Sequence, residues 1–349
     1  MTTDMVIDGT PIGPSHPPYI IAEISGNHNG DINKALELIR LAKTSGANAV
    51  KIQTYTADTM TIDCDKSDFM IEGGLWDGQP LYQLYQWAHT PWEWHQQLFD
   101  EAQRVGITLF SSPFDETAVA LLEQLNTPAY KIASFELTDL ILIKQVAATG
   151  KPVIMSTGLA NQQEIQQAID TARNAGCKQL LILHCISGYP TPIDGSNLLS
   201  ISRLKADFDV PVGLSDHTLG VTAAITGVAL GAVVIEKHFT LKRDDGGPDA
   251  AFSLEPDELK LLCQSSRDAF LALGKGDYST KEAEQPNLKF RRSLYVVKDI
   301  QAGEELTEQN VRRIRPGFGL PAGHFHKVLG KKTNQSISRG TALQWDMID

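Results

Sequence analysis

The chain has 349 residues, 42% of them hydrophobic, and a formal net charge of −11. That length allows one large core and a second small one, and the acidic balance excludes extended nucleic-acid binding, although a few lysines can still focus a small anion locally. No stretch approaches the roughly 18 apolar residues of a membrane helix, the first 18 residues show no basic cluster followed by an apolar run, and Cys64, Cys177, Cys185 and Cys263 lack paired spacing, so a cytoplasmic chain without disulfides or a zinc knuckle is expected.

Short β-branched runs recur at residues 19–24, 49–53, 108–111, 130–133, 152–156, 180–184, 211–214 and 233–237. Most stay apolar until their last residues, as strands covered on both faces do. Between them lie helical patterns. The first is capped by Asp31, carries Ala35, Leu38, Ile39 and Ala42 on one face, and ends at Gly46. Others are expected at 91–105, 115–125, 140–149, 162–175 and 256–273. This alternation predicts parallel βαβ units. Eight strands over about 240 residues, with no glycine-rich fingerprint after the first, favour a closed (β/α)8 TIM barrel over a doubly wound open sheet. An irregular insertion at 58–87 follows the second strand, on the face where barrels carry their active sites. Its aromatics suit either the packing of a long loop or the enclosure of a substrate. The character changes after Gly274, with a polar linker at about 275–289 and strand-like sequence at 290–297. The division expected is a barrel over 1–280 and a small domain over 281–349, too short for much independent stability and expected to dock on a barrel.

Polar residues gather at the ends of these strands. Glu23 ends the first, Lys51 and Gln53 the second, and Ser111 and Ser112 the third; Lys131, Ser134 and Glu136 follow the fourth, and Ser156 and Thr157 the fifth. His184 and Ser187 come from the sixth, Ser215, Asp216 and His217 from the seventh, and Glu236, Lys237 and His238 from the eighth. One rim thus collects the parts of an anion site beside a metal or acid–base site. His217 and His238 lie on neighbouring strand ends and could hold one divalent ion, Mn²⁺ suiting imidazole and oxygen ligands better than Mg²⁺, or could be hydrogen-bonded structural histidines. Glu23 is the leading carboxylate for general base work. Lys51 and Lys131, with Ser134, Ser156 and Ser215, can bind phosphate or carboxylate. Either lysine could instead form a Schiff base, which predicts a metal-independent aldolase.

Six stretches, at 21–30, 49–54, 130–136, 155–158, 214–218 and 236–240, together resemble the sialic acid synthase family in order and residue type. The tail resembles that family's antifreeze-like (SAF) domain, with Arg315-Pro316-Gly317 matching its arginine-bearing loop. The resemblance implies a metal-dependent synthase that joins phosphoenolpyruvate to an amino-sugar aldehyde, with Mn²⁺ as the expected ion and Mg²⁺ or Co²⁺ as alternatives. It assigns Lys51, Ser112, Lys131, Ser134, Ser156 and Ser215 to phosphoenolpyruvate, and His217 and His238 to the metal. Gln53, Glu136, Tyr189, Asp249 and Arg315 fall to the sugar, Arg315 reaching it from the other subunit of a homodimer whose C-terminal domains lie over each other's barrels.

Within the family, Gly74-Leu75-Trp76-Asp77-Gly78, Leu81-Tyr82 and Thr90-Pro91-Trp92-Glu93-Trp94 look like the branch that makes pseudaminic acid. The expected sugar is then a 2,4-diacetamido-2,4,6-trideoxy hexose, whose missing 6-hydroxyl suits an aromatic enclosure. Ser187-Gly188 stands where neuraminate synthases commonly carry an asparagine, so no phosphoenolpyruvate contact is carried over to Ser187. The competing readings are a neuraminate or legionaminate synthase and, from another class, a sugar-binding regulatory barrel. Glu23, both lysines and both histidines argue against the last, since a binding module needs no Lewis-acid site.

Overall fold

Runs that are apolar on both faces need both faces covered and no edge left open. In the computed structural model, which describes residues 4–349, closure into a barrel meets both needs. A hairpin of β1 (Met5–Ile7) and β2 (Thr10–Ile12) precedes β3 (Tyr19–Glu23), β4 (Ala49–Thr54), β5 (Thr108–Pro113), β6 (Tyr130–Ile132), β7 (Val153–Ser156), β8 (Leu180–Cys185), β9 (Val212–Asp216) and β10 (Val234–His238). Strands β3 to β10 are parallel, each paired with the next, and β10 returns to β3 with His238 opposite Glu23. Helices cover the outside. Asp31 accepts from the Asn33 N–H and Gly46 ends the first helix at φ 98°, as its sequence predicts. Leu38 and Ile39 on its inner face are fully buried in the core between helices and barrel, each contributing roughly 1.5–3 kcal/mol.

Three features add to the sequence reading. The first is the β1–β2 hairpin, whose Met5, Ile7 and Ile12 bury against Tyr19, Ile21, Phe110, Ile154, Leu181 and Val233 at the N-terminal ends of the strands. Its two-residue turn is Asp8-Gly9, both at positive φ, the chemistry of a tight hairpin. The second is a pair of eight-residue helices, Ser200–Asp207 and Thr222–Ala229. They are too short, and the latter too uniformly apolar, to show a helical period. The third is the insertion, which folds back as a small hairpin. Met70 bridges Pro80, Ile71 exchanges backbone hydrogen bonds with Gln79 and Gly78, and a 3-10 turn, Gly74–Trp76, sits at the tip.

The chain divides after Gly274 into two compact units. In the second, a 3-10 run Glu282–Phe290 leads to β11 (Ser293–Val296), which pairs antiparallel with β12 (Val311–Ile314). Its own core contains Leu294, Val296, Leu306, Val311, Val328 and Leu343. No helix among the described residues is long and apolar enough to cross a membrane.

Candidate active site

Alternation along a strand sends residues i and i+2 to the same side, roughly 6–7 Å apart, and the inward residues of the barrel form two levels. The lower is a charged floor. Lys51 Nζ lies 2.8 Å from Glu23 Oε2, without the alignment of a hydrogen bond, and 3.3 Å from Glu236 Oε1. Lys131 Nζ is 3.6 Å from the same Glu236 oxygen. Ser215 donates to Glu236 Oε1 at 3.3 Å, Lys51 donates to Ser112 at 3.3 Å, and Gln53 donates to Glu23 Oε1 at 3.2 Å. All four charged groups are buried. Burial works against the charge on Lys51, but Glu23 and Glu236 outweigh it and hold its pKa above the ordinary lysine value. Lys131 is held below that value, by burial first, with Glu236 opposing and the Lys51 charge adding to the fall. Burial would raise the Glu236 carboxyl, yet Lys131 and Lys51 overcome it and keep the group ionised. Among the described residues, Glu236 Oε2 and Ser156 Oγ are buried without a hydrogen-bond partner, whereas Glu23 Oε2 has the Lys51 ammonium beside it. Buried polar atoms of this kind mark a place for a polar ligand.

Two residues further along these strands, Ser25, Gln53, Ala133 and His238 line a cavity of about 450 Å³ above the floor. Glu136, Ser187, Tyr189 and Asp249 complete its polar wall, and Met60, Ile71, Trp76, Leu81, Leu84 and Tyr85 of the insertion form an apolar one. The aromatics of the insertion therefore do both things open to them, packing their own loop and enclosing a space. Glu136 is pushed up to about 7 by burial, which Lys131 only partly offsets, and its Oε2 has no hydrogen-bond partner among the described residues. Ser134 accepts the Gly158 N–H at 3.1 Å. A Cβ at Gly158 would fall 2.4 Å from Ser187 Oγ and 2.7 Å from Ser134 Oγ, so only glycine lets the two hydroxyls converge. Ser187 thus belongs to the cavity wall.

Two imidazoles stand at the junction of floor and cavity. The rings of His217 and His238 are 5.3 Å apart. His217 Nδ1 is 3.0 Å from the Ile186 carbonyl; a proton placed there leaves Nε2 free to bind a metal. His238 Nδ1 is buried without a hydrogen bond, 3.4 Å from Asp249 Oδ2. Burial would raise the Asp249 carboxyl, but His238 holds it below its ordinary range, helped by a hydrogen bond from Ser25. The donor set fits a divalent ion held by two imidazoles. No group of three or more His, Cys, Asp or Glu among the described residues is arranged around one point, so the chain would supply two ligands and leave the other positions to substrate or water. Outside the barrel wall, Lys237 Nζ donates to Asp216 Oδ2 at 2.8 Å and to the Thr218 carbonyl at 2.5 Å. This buried pair ties together the two strand ends that carry the imidazoles.

The structure therefore brings together Glu23, Lys51, Gln53, Ser112, Lys131, Ser134, Glu136, Ser156, Tyr189, Ser215, His217, His238 and Asp249. Arg315 lies in the second unit, exposed after β12. Glu236 is the floor residue to which the sequence assigned no role; the signal was its position two residues before His238, on the same inward face.

The sequence model of the NeuB family matches residues 38–278, and that of the SAF domain matches 291–349. The chain is 46% identical over 326 residues to the pseudaminic acid synthase of Campylobacter jejuni subsp. jejuni serotype O:23/36 (strain 81-176), covering 93% of this chain and 95% of that protein. It is 44% identical to the pseudaminic acid synthase of Helicobacter pylori, over 95% of this chain and 98% of the other. Among solved structures, the N-acetylneuraminic acid (sialic acid) synthetase of Leptospira borgpetersenii superimposes with a TM-score of 0.75 at 30% identity, covering 83% of this chain and 97% of that one.

Proposed function

Because the chain belongs to the NeuB family, we propose that it condenses phosphoenolpyruvate with 2,4-diacetamido-2,4,6-trideoxy-L-altrose and water to give pseudaminic acid and phosphate. The observation that carries this reading is the two-level site: a floor of two buried lysines paired with two carboxylates, with unpartnered polar atoms, lies beneath a half-apolar cavity, and two imidazoles stand beside both. A small anion with carboxylate and phosphate groups suits the two lysines and the hydroxyls of the floor. A sugar with two acetamido groups and a methyl end suits the cavity.

Lys51, Lys131, Ser112, Ser134, Ser156 and Ser215 would bind phosphoenolpyruvate, the ligand's negative charges replacing part of what Glu23 and Glu236 now supply to the lysines. Gln53, Glu136, Tyr189 and Asp249 would orient the aldehyde above C3 of the enol, trading reactant freedom for alignment. His217 and His238 would hold a divalent ion, Mn²⁺ by ligand type, which when bound supplies Lewis-acid polarisation of the aldehyde oxygen. As C3 bonds to the aldehyde carbon, C2 becomes electron-poor. Glu23, freed from Lys51, can take a proton from the water that adds at C2, and phosphate then leaves with C–O cleavage. The partner subunit's Arg315 would complete the sugar site in a homodimer, in the cytoplasm.

The test is phosphate release by chelator-treated protein with and without Mn²⁺, comparing the diacetamido sugar with N-acetylmannosamine. Metal-dependent release with the diacetamido sugar alone supports the proposal. Turnover of N-acetylmannosamine would place the chain with the neuraminate synthases, and metal-independent activity trapped by borohydride would replace the mechanism with a Schiff base.

A further inference from the structure

Asp249 is carried on a loop that leaves β10 and is gripped from two sides. From the β3 side, Asn27 donates to the Phe239 carbonyl at 3.0 Å and to Ser253 Oγ at 2.9 Å; Ser253 in turn donates to the Asp249 carbonyl at 2.7 Å. Asn29 donates to the Gly246 carbonyl at 3.0 Å. From the other side comes the insertion. Trp76 Nε1–H donates to the Pro248 carbonyl at 3.0 Å, one residue before Asp249. The three segments meet at Gly26, where a Cβ would lie 2.6 Å from Pro248 Cγ and 2.7 Å from the Ala88 carbonyl. The Trp76 ring also packs on Tyr189, centroids 5.8 Å apart, and Tyr189 packs on His217 at 4.5 Å. One indole thus links the loop beside His238 to the aromatic beside His217, and it lines the cavity as part of its apolar wall.

We propose that Trp76 is the specificity-determining residue of the sugar cavity: its face takes the deoxygenated end of the substrate, and its N–H positions the loop that carries Asp249. A hydroxyl on that end of the sugar would lose its water against the indole without a partner, whereas a methyl group gains contact. The inference deepens the proposed function and rests on its sugar class. Because the indole lines the cavity and its hydrogen bond goes to the Asp249 loop, it acts on the sugar and leaves phosphoenolpyruvate alone.

The experiment uses the full chain with its metal. Trp76→Phe keeps a ring and removes the N–H; Trp76→Ala removes both. Trp76→Phe should raise the sugar KM about 5-fold, the scale of one hydrogen bond. Trp76→Ala should raise it roughly 10- to 100-fold, the scale of lost apolar contact, and should lower the preference for the 6-deoxy over the 6-hydroxy sugar about 10-fold. The phosphoenolpyruvate KM should stay within about 2-fold for both. Wild-type rates alone judge the proposed reaction, and variant-to-wild-type ratios on whichever sugar the wild type turns over judge Trp76. Amide exchange over residues 243–253, which needs no turnover, should quicken in Trp76→Phe. An unchanged sugar KM in Trp76→Ala, an equal loss for both sugars with a raised phosphoenolpyruvate KM, or unchanged exchange in that loop would each overturn the proposal.

Discussion

The floor and the roof of the site are built by different means. Floor residues come from strands β3, β4, β5, β6, β7, β9 and β10, whose backbones are fixed by neighbours on both sides. Their charges are buried and balanced against one another. The roof comes from an insertion whose tip is tied to the Asp249 loop through a side-chain N–H. Rigid strands hold geometry finely, whereas a loop can change its lining without disturbing the core. On the proposed function, one barrel keeps a single chemistry on its floor while the roof selects the sugar.

Breaking the floor should therefore damage every substrate alike. His217→Ala and His238→Ala should each cost about 10³-fold in phosphate release, the several kcal/mol of charge stabilisation that a bound ion supplies, and chelation of the wild type should match them on all sugars tested. Lys51→Met leaves Glu23 without its counter-charge. It should lower unfolding stability by about 3 kcal/mol, the small end of the range for broken buried pairs because Lys131 still faces Glu236, and urea midpoints at pH 7.5 would measure it.

Glu136 sharpens the boundary between the levels. Its carboxyl sits at about 7 instead of 4.5, so between those values the folded protein holds a proton that the unfolded chain has released. Stability contributed by this group is present below about pH 4.5 and falls as pH rises through about 7. Glu136→Gln should match the wild type near pH 4 and exceed it by on the order of 2 kcal/mol at pH 8, read from urea midpoints at both pH values. Smallest is a change in neither level. Asp115 caps the helix Glu116–Gln124 by accepting from Thr117 and Ala118; Asp115→Ala should cost about 1 kcal/mol of stability and leave both KM values alone.

The barrel was legible because its eight strands are short, apolar on both faces and polar at their ends, and the matching helices carry caps and end glycines. The floor was legible for the same reason, since a lysine or glutamate closing an apolar strand has few other places to point. Less visible were features that depend on tertiary partners. Thr222–Ala229 is apolar all round and shows no face, and Met5–Ile12 is too short for a period, so its Asp8-Gly9 turn was passed over. The role of Glu236 was hidden because the next residue, Lys237, is equally polar, and only the barrel sends one inward and the other outward to Asp216. Trp76 could be read as packing or as enclosure, and its bond to Pro248 spans 172 positions of sequence.

The small hairpin at Met5–Ile12 has a consequence for traffic. Met5, Ile7 and Ile12 pack with Ile21, Ala49, Ile154 and Leu181, all fully buried, so the barrel interior beneath the lysines is solid and the cavity is the side from which they are reached. On the proposed function, the anion lies deepest and the sugar above it, so the sugar would block the anion's entry. Order of arrival and departure then follows from the architecture, and steady-state kinetics should show a compulsory sequence with the anion first.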